Sequence, residues 1–158
     1  IQLTDKAEGK IIYFASPDIW SGNWGSYIGG KLSYDIKLFT NSTNYVSNVD
    51  EVRIYKDVDH YVAWKPGTAN KPPYNQWTTY SVGLTYENFG GNEAAFNDIM
   101  TAPTKRIVIR AEYINGVDTE GLDNVILAGV PQVPEPTTLL LLGSGLMGLA
   151  VLRKKVRG

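Results

Sequence analysis

Apolar and polar residues alternate along several short stretches of this chain. Lys31 to Phe39 is the clearest: Leu32, Tyr34, Ile36 and Leu38 face one way, and Ser33, Asp35 and Lys37 the other. That two-residue period predicts a half-buried strand. The same reading gives strands at Lys10–Ala15, Val52–Tyr55, Tyr61–Trp64, Trp77–Leu84, Lys105–Tyr113 and Leu122–Leu127. Asp57-Val58-Asp59-His60 lies between two of them and predicts a hairpin turn. One segment changes period. Asn92 is placed to cap a helix, Glu93 falls in its first turn, and Phe96, Ile99 and Met100 recur three or four apart before Thr101-Ala102-Pro103 ends it. Turn formers mark loops at Ser21–Gly25, Asn41–Asn48 and Pro66–Asn75. Seven or eight antiparallel strands with one short helix predict an all-β, two-sheet sandwich of the jelly-roll kind.

The last stretch follows no such alternation. Thr137 to Leu152 is a 16-residue run without charge and almost without polar groups. As a helix it spans roughly 24 Å, against a hydrocarbon core about 30 Å thick. The stems of Arg153 and Lys154 can snorkel to make up the shortfall. The run therefore predicts a C-terminal transmembrane helix, with Arg153, Lys154, Lys155 and Arg157 held on the cytoplasmic side and the body outside. A buried core helix would need a polar outer face, which this run lacks. Gly143-Ser144-Gly145-Leu146-Met147-Gly148 matches G-x-G-x-x-G. No βαβ unit surrounds it, so it is not a dinucleotide site. Small residues there suit close helix packing in a membrane. The expected organisation is a body at 1–130, a Pro-rich linker at 131–136, and the helix with its basic tail at 137–158. The chain opens on Ile1 rather than Met, as expected of a fragment or a processed product.

Composition refines this outline. The body is rich in Tyr, Trp, Gly, Asn and Thr, which favours strands. The net charge of −1 hides an asymmetry, because four basic residues crowd the last six positions. The remainder carries 11 basic and 16 acidic residues. It is mildly acidic, with no basic stripe for nucleic acid. No cysteine is present, which excludes disulfides, thiolate nucleophiles and Cys-based metal sites.

Val133-Pro134-Glu135-Pro136, followed by a Gly-containing apolar run and a terminal Arg/Lys cluster, resembles the PEP-CTERM sorting signal. The resemblance implies recognition by an exosortase-type membrane protease, transient anchoring in the membrane, and cleavage near the motif. The body would then be released to the cell envelope or an extracellular matrix. It also implies a Gram-negative type of envelope and a secretory signal peptide upstream of Ile1. The prolines keep the cleavage segment extended and accessible. A second resemblance lies in the body. Tyr13-Phe14-Ala15-Ser16-Pro17 and Ser26 to Asp35 look like the opening of a laminin B (laminin IV type A) domain. Pro72 and Pro73 before Trp77, then Phe96 and Ile99, continue the likeness. Ile109 to Tyr113 and Gly121 to Leu127 close it. It implies a jelly roll related to carbohydrate-binding and galactose-binding-like modules. Laminins carry the domain between cysteine-rich EGF-like modules, which this chain lacks, so the fold is what transfers.

Catalytic signals are sparse. His60, the only histidine, sits in a turn beside Asp57 and Asp59, where a solvated turn residue is the ordinary reading. Asp35 and Glu112 fall on solvent faces by alternation, and Asp50-Glu51 ends a loop. Arg110 and Glu112, two apart on one strand, are expected to form an ion-pair network. The jelly rolls that the body resembles often hold a structural calcium through an aspartate on the last strand. Asp123 is the matching position, with Asp5 or Glu8 as helpers, and calcium favours such hard oxygen ligands. The competing role for Asp123 is to bond backbone amides. Trp20, Trp24, Tyr27, Trp64, Tyr74 and Trp77 offer faces for stacking on sugars, and Trp20 and Trp24 are expected to be the exposed pair. The expected function is a non-enzymatic surface or matrix protein engaged in adhesion or exopolysaccharide interaction. The alternative is a secreted carbohydrate-active enzyme or its binding module.

Overall fold

A computed structural model describes residues 1–5, 11–66, 71–103 and 105–131. The sorting motif at Val133–Pro136, the apolar run and the basic residues Arg153, Lys154, Lys155 and Arg157 lie outside the described residues. Among the described residues no helix is long and apolar enough to cross a membrane.

Eight strands stand in the described residues: β1 Gln2–Thr4, β2 Tyr13–Ala15, β3 Lys31–Leu38, β4 Val52–Tyr55, β5 Tyr61–Trp64, β6 Thr78–Gly83, β7 Arg106–Arg110 and β8 Thr119–Ala128. They form two four-stranded antiparallel sheets, β1-β8-β3-β6 and β2-β7-β4-β5. The all-β sandwich read from the alternation is the architecture observed. Leu32, Tyr34, Ile36 and Leu38 of β3 point inward and are buried, as the period demands. They meet Tyr80 and Val82 of β6, Val52 and Ile54 of β4, and Ile107 and Ile109 of β7. Each fully buried side chain of this size contributes about 1.5–3 kcal/mol.

Helix α2, Glu93–Thr101, is the predicted one. The Asn92 side chain accepts the Ala95 amide at 2.8 Å, and Phe96, Ile99 and Met100 turn into the core. A single-turn helix α1, Tyr86–Phe89, precedes it and was not predicted. Phe89 anchors it, its ring 6.0 Å from that of Phe96, and Gly90 at φ +74° ends it. Gly30 allows the close backbone approach expected of Gly29-Gly30, because a Cβ there would lie 2.1 Å from the Ala128 carbonyl. A bulge in β8, with Asn124 at φ +49°, shifts its register against β3.

Candidate functional site

The outer face of the β2-β7-β4-β5 sheet gathers the richest exposed chemistry. Alternation in β4 sends Val52 and Ile54 inward, and therefore sends Arg53 and Tyr55 outward. Tyr61 stands opposite Tyr55 on β5, the ring centroids 4.9 Å apart. The Arg53 guanidinium lies between two rings, 4.9 Å from the Tyr13 centroid and 5.2 Å from the Tyr61 centroid. Its Nε donates to Asp50 Oδ2 at 2.8 Å and its Nη1 to the Tyr55 hydroxyl at 3.1 Å. These bonds hold the Arg53 pKa above its ordinary value, against the lowering effect of burial. Burial pushes the Tyr13 phenol up to about 12. Beside this stack lies a concavity of about 580 Å³, lined by Tyr13, Tyr55, Lys56, Lys105, Arg106 and neighbouring residues. Lys105 is buried and donates to the carbonyls of Gly22 at 2.9 Å and Ala102 at 2.5 Å. Desolvation pulls its ammonium down to about 8. Aromatic faces with fixed cationic and hydroxyl groups around them suit a polar, ring-bearing ligand. The aromatic residues singled out from the sequence, Trp20 and Trp24 foremost, lie elsewhere, and Tyr13, Tyr55 and Tyr61 were not among them. The outward parity of Arg53 and Tyr55 was the signal for this face, but the tyrosines come from three separate strands.

Trp20 ends a short 3₁₀ turn, Asp18–Trp20, and Trp24 immediately precedes a second, Gly25–Tyr27. The expected exposure fails for Trp24, which is 5% exposed. Its indole N–H donates to the Trp20 carbonyl at 2.9 Å, and its amide donates to the Met100 carbonyl at 2.8 Å. Those bonds and the core packing draw the ring in. Trp20 is half-buried, and a hollow of about 410 Å³ lies between Ile19, Trp20, Asn23, Trp24 and Tyr27. Of the other aromatic candidates, Tyr74 and Trp77 are exposed, whereas Tyr27 and Trp64 are half-buried.

A second polar assembly lies inside the sandwich. Glu51 is buried and accepts the hydroxyls of Tyr34, at 3.2 Å, and of Tyr113, with the Arg110 guanidinium 3.8 Å away. Arg110 donates to the carbonyls of Glu112 and Val46, each at 2.6 Å. The Arg110–Glu112 carboxylate pairing read from strand parity is therefore replaced. Glu112 is buried, not on a solvent face, and its Oε2 accepts the Ile12 amide at 3.1 Å. The reason is that β7 stops at Arg110, so Glu112 follows a path that parity does not describe. Glu51 likewise does more than end a loop. Burial raises its pKa, against the lowering effect of Tyr113, Arg110 and Tyr34.

Asp123 is exposed, and its Oδ1 accepts the Asn124 amide at 2.8 Å. It pairs in register with Asp35, which accepts the Thr79 hydroxyl at 2.5 Å and the Asn124 side-chain amide at 2.7 Å. Four other carboxylates are almost sealed from water: Asp5, Glu112, Asp118 and Glu120. Glu8 lies outside the described residues. No three His, Asp or Glu side chains among the described residues already converge as a ready metal-holding group. His60 is exposed, its Nδ1 2.7 Å from Asp57 Oδ1 in the hairpin turn.

Residues 132–155 match the family described as the PEP-CTERM protein-sorting motif. Among solved structures, the L4b domain of human laminin alpha-2 superposes with a TM-score of 0.61 at 18% identity, covering 78% of this chain and 72% of that one. At that identity the likeness is one of fold. No curated protein matches this chain. Both resemblances read from the residues thus have a counterpart: a sorting motif at the C-terminal end, and a body with the fold of a laminin L4 domain. The motif implies an exported protein, membrane-associated as a precursor and processed by an exosortase.

Proposed function

We propose that this protein is a non-enzymatic module of the cell surface or extracellular matrix that adheres to polysaccharide. In this reading the sandwich is a jelly roll of the galactose-binding-like kind. Residues 137–158 form a transient transmembrane anchor, and cleavage near Pro134–Pro136 releases the body to the envelope or matrix. The fold shared with a laminin domain fits work outside the cell. The observation that carries the adhesive role is the outer-face stack, in which the Arg53 guanidinium lies against the rings of Tyr13 and Tyr61 with Tyr55 alongside. Tyr61 is 44% exposed, so its ring is open to a sugar.

A pulldown on extracellular polysaccharides tests it. Tyr55→Ala and Tyr61→Ala are each expected to weaken retention about tenfold, the loss of roughly one aromatic contact. Trp20→Ala is run beside them, because the hollow at Trp20 offers a second contact. Undiminished retention of all three variants removes the proposed platform. The sorting half is tested by the mass of the mature C-terminus. It is expected to fall within or beside Val133–Pro136, without Arg153, Lys154, Lys155 or Arg157.

A further inference from the structure

Strand pairing collects cations at one end of the β2-β7-β4-β5 outer face. β4 and β7 run antiparallel, with Tyr55 opposite Arg106. The end of β4 therefore meets the start of β7, and Lys56 arrives beside Lys105 and Arg106. The row that crosses the sheet there reads Arg106, Tyr55, Tyr61. The next row reads Ala15, Val108, Arg53, Ala63. Ala15 and Val108 are small, and the concavity of about 580 Å³ opens above them.

Among the described residues, Lys56, Lys105 and Arg106 line that hollow against a single carboxylate, Asp57. Asp57 is spent on its own hairpin. Its Oδ1 accepts the amides of Asp59 at 3.0 Å and His60 at 2.9 Å, and its Oδ2 lies 2.9 Å from His60 Nδ1. Lys56 pairs with Asp98 at 2.8 Å on the surface, where such a bond holds little. Lys105 and Arg106 pair with no carboxylate among the described residues. The Lys105 ammonium is buried against the carbonyls of Gly22 and Ala102, which take two of its three N–H groups. Desolvation lowers its pKa to about 8. The Tyr13 hydroxyl belongs to the same hollow and has no hydrogen-bond partner among the described residues. The positive charge is local, set in a body with more acidic residues than basic ones.

Aromatic rings suit the apolar face of any sugar, but these charges suit an anionic one. We propose that the polysaccharide held on this face is a uronic-acid polymer, whose carboxylate seats among Lys105, Arg106 and Lys56 while a sugar ring lies on Tyr55 and Tyr61. The assignment rests on the adhesive function proposed above and narrows its ligand. Arg106 offers a planar fork that matches a carboxylate, Lys105 donates its remaining N–H, and the Tyr13 hydroxyl supplies a further donor. A neutral polymer would leave the Lys105 ammonium desolvated and without a counter-ion.

Polygalacturonate and its fully methyl-esterified form share one backbone and differ in charge, and binding to the two is compared. The full chain is used in non-ionic detergent, with Arg153, Lys154, Lys155 and Arg157 changed to Gln so that the tail does not itself attract a polyanion. Polygalacturonate is expected to bind about tenfold tighter than the ester, an advantage that shrinks as salt rises to about 0.5 M. Lys56→Gln with Arg106→Gln is expected to keep the parent's circular dichroism spectrum, to lose about tenfold for polygalacturonate and to leave the ester unchanged. Lys31→Gln with Lys37→Gln removes as much charge from the other sheet and is expected to change neither affinity. Tyr61→Ala is expected to weaken both polymers. Equal affinity for the two polymers, lowered by Tyr61→Ala, overturns the acidic ligand and leaves the adhesive function standing. Binding of neither polymer overturns both. An equal loss in the Lys31 and Lys37 variant overturns the hollow as the site.

Discussion

At the scale of single residues, the strongest constraints are polar groups inside the sandwich. Arg110 balances Glu51 where neither reaches water. Removing one partner leaves an uncompensated buried charge, so Arg110→Ala is expected to cost about 3–5 kcal/mol in urea unfolding. Tyr34 and Tyr113 are sealed beside Glu51, and burial, followed by that carboxylate, drives both phenol pKa values well above the ordinary value. The sign follows from linkage. An unfolded tyrosine ionises near pH 10, whereas the folded one keeps its proton. Their contribution is whole below pH 10 and is lost as pH rises from there toward the folded values. Tm measured by circular dichroism is expected to fall above pH 10, with the exposed tyrosines such as Tyr61 and Tyr74 ionising in the folded protein and a further step of tyrosinate absorbance appearing as it unfolds. None of this was legible from the sequence. Glu51 sits in a loop-like context, and its partners Tyr34, Arg110 and Tyr113 come from distant segments that only the closed sandwich brings together.

At the scale of elements, the sequence was legible wherever the period ran long enough. The eight residues of β3 alternate without fault, and α2 announces both its cap and its apolar face. Asn92→Ala is therefore expected to destabilise by about 1 kcal/mol, measured by thermal melting, through loss of the bond to the Ala95 amide. Gly30→Ala is expected to cost considerably more, because its Cβ would collide with the Ala128 carbonyl and part β3 from β8. Short pieces escaped. β1 has three residues, too few to show a period, and α1 is one turn whose anchor, Phe89, is fixed by tertiary contact. The Tyr13–Arg53–Tyr61 stack crosses three strands, so alternation placed each side chain on a face but could not set the strands side by side. Trp24 was misplaced for a related reason: a loop address suggests exposure, and the bond to the Trp20 carbonyl is a matter of three-dimensional path.

At the scale of the whole molecule, the two sheets divide their duties. One presents tyrosines and cations outward, while the other carries the first and last strands side by side, with Gln2 opposite Gly121 and Thr4 opposite Thr119. That pairing joins the extremes of the body, so the sandwich closes only after β8 has been supplied. A version of the chain ending at Asp118 is expected to stay protease-sensitive and to lack a cooperative melt. Closing contacts among the earliest residues must wait for the rearmost strand, so trimming either extremity of the body opens one and the same seam.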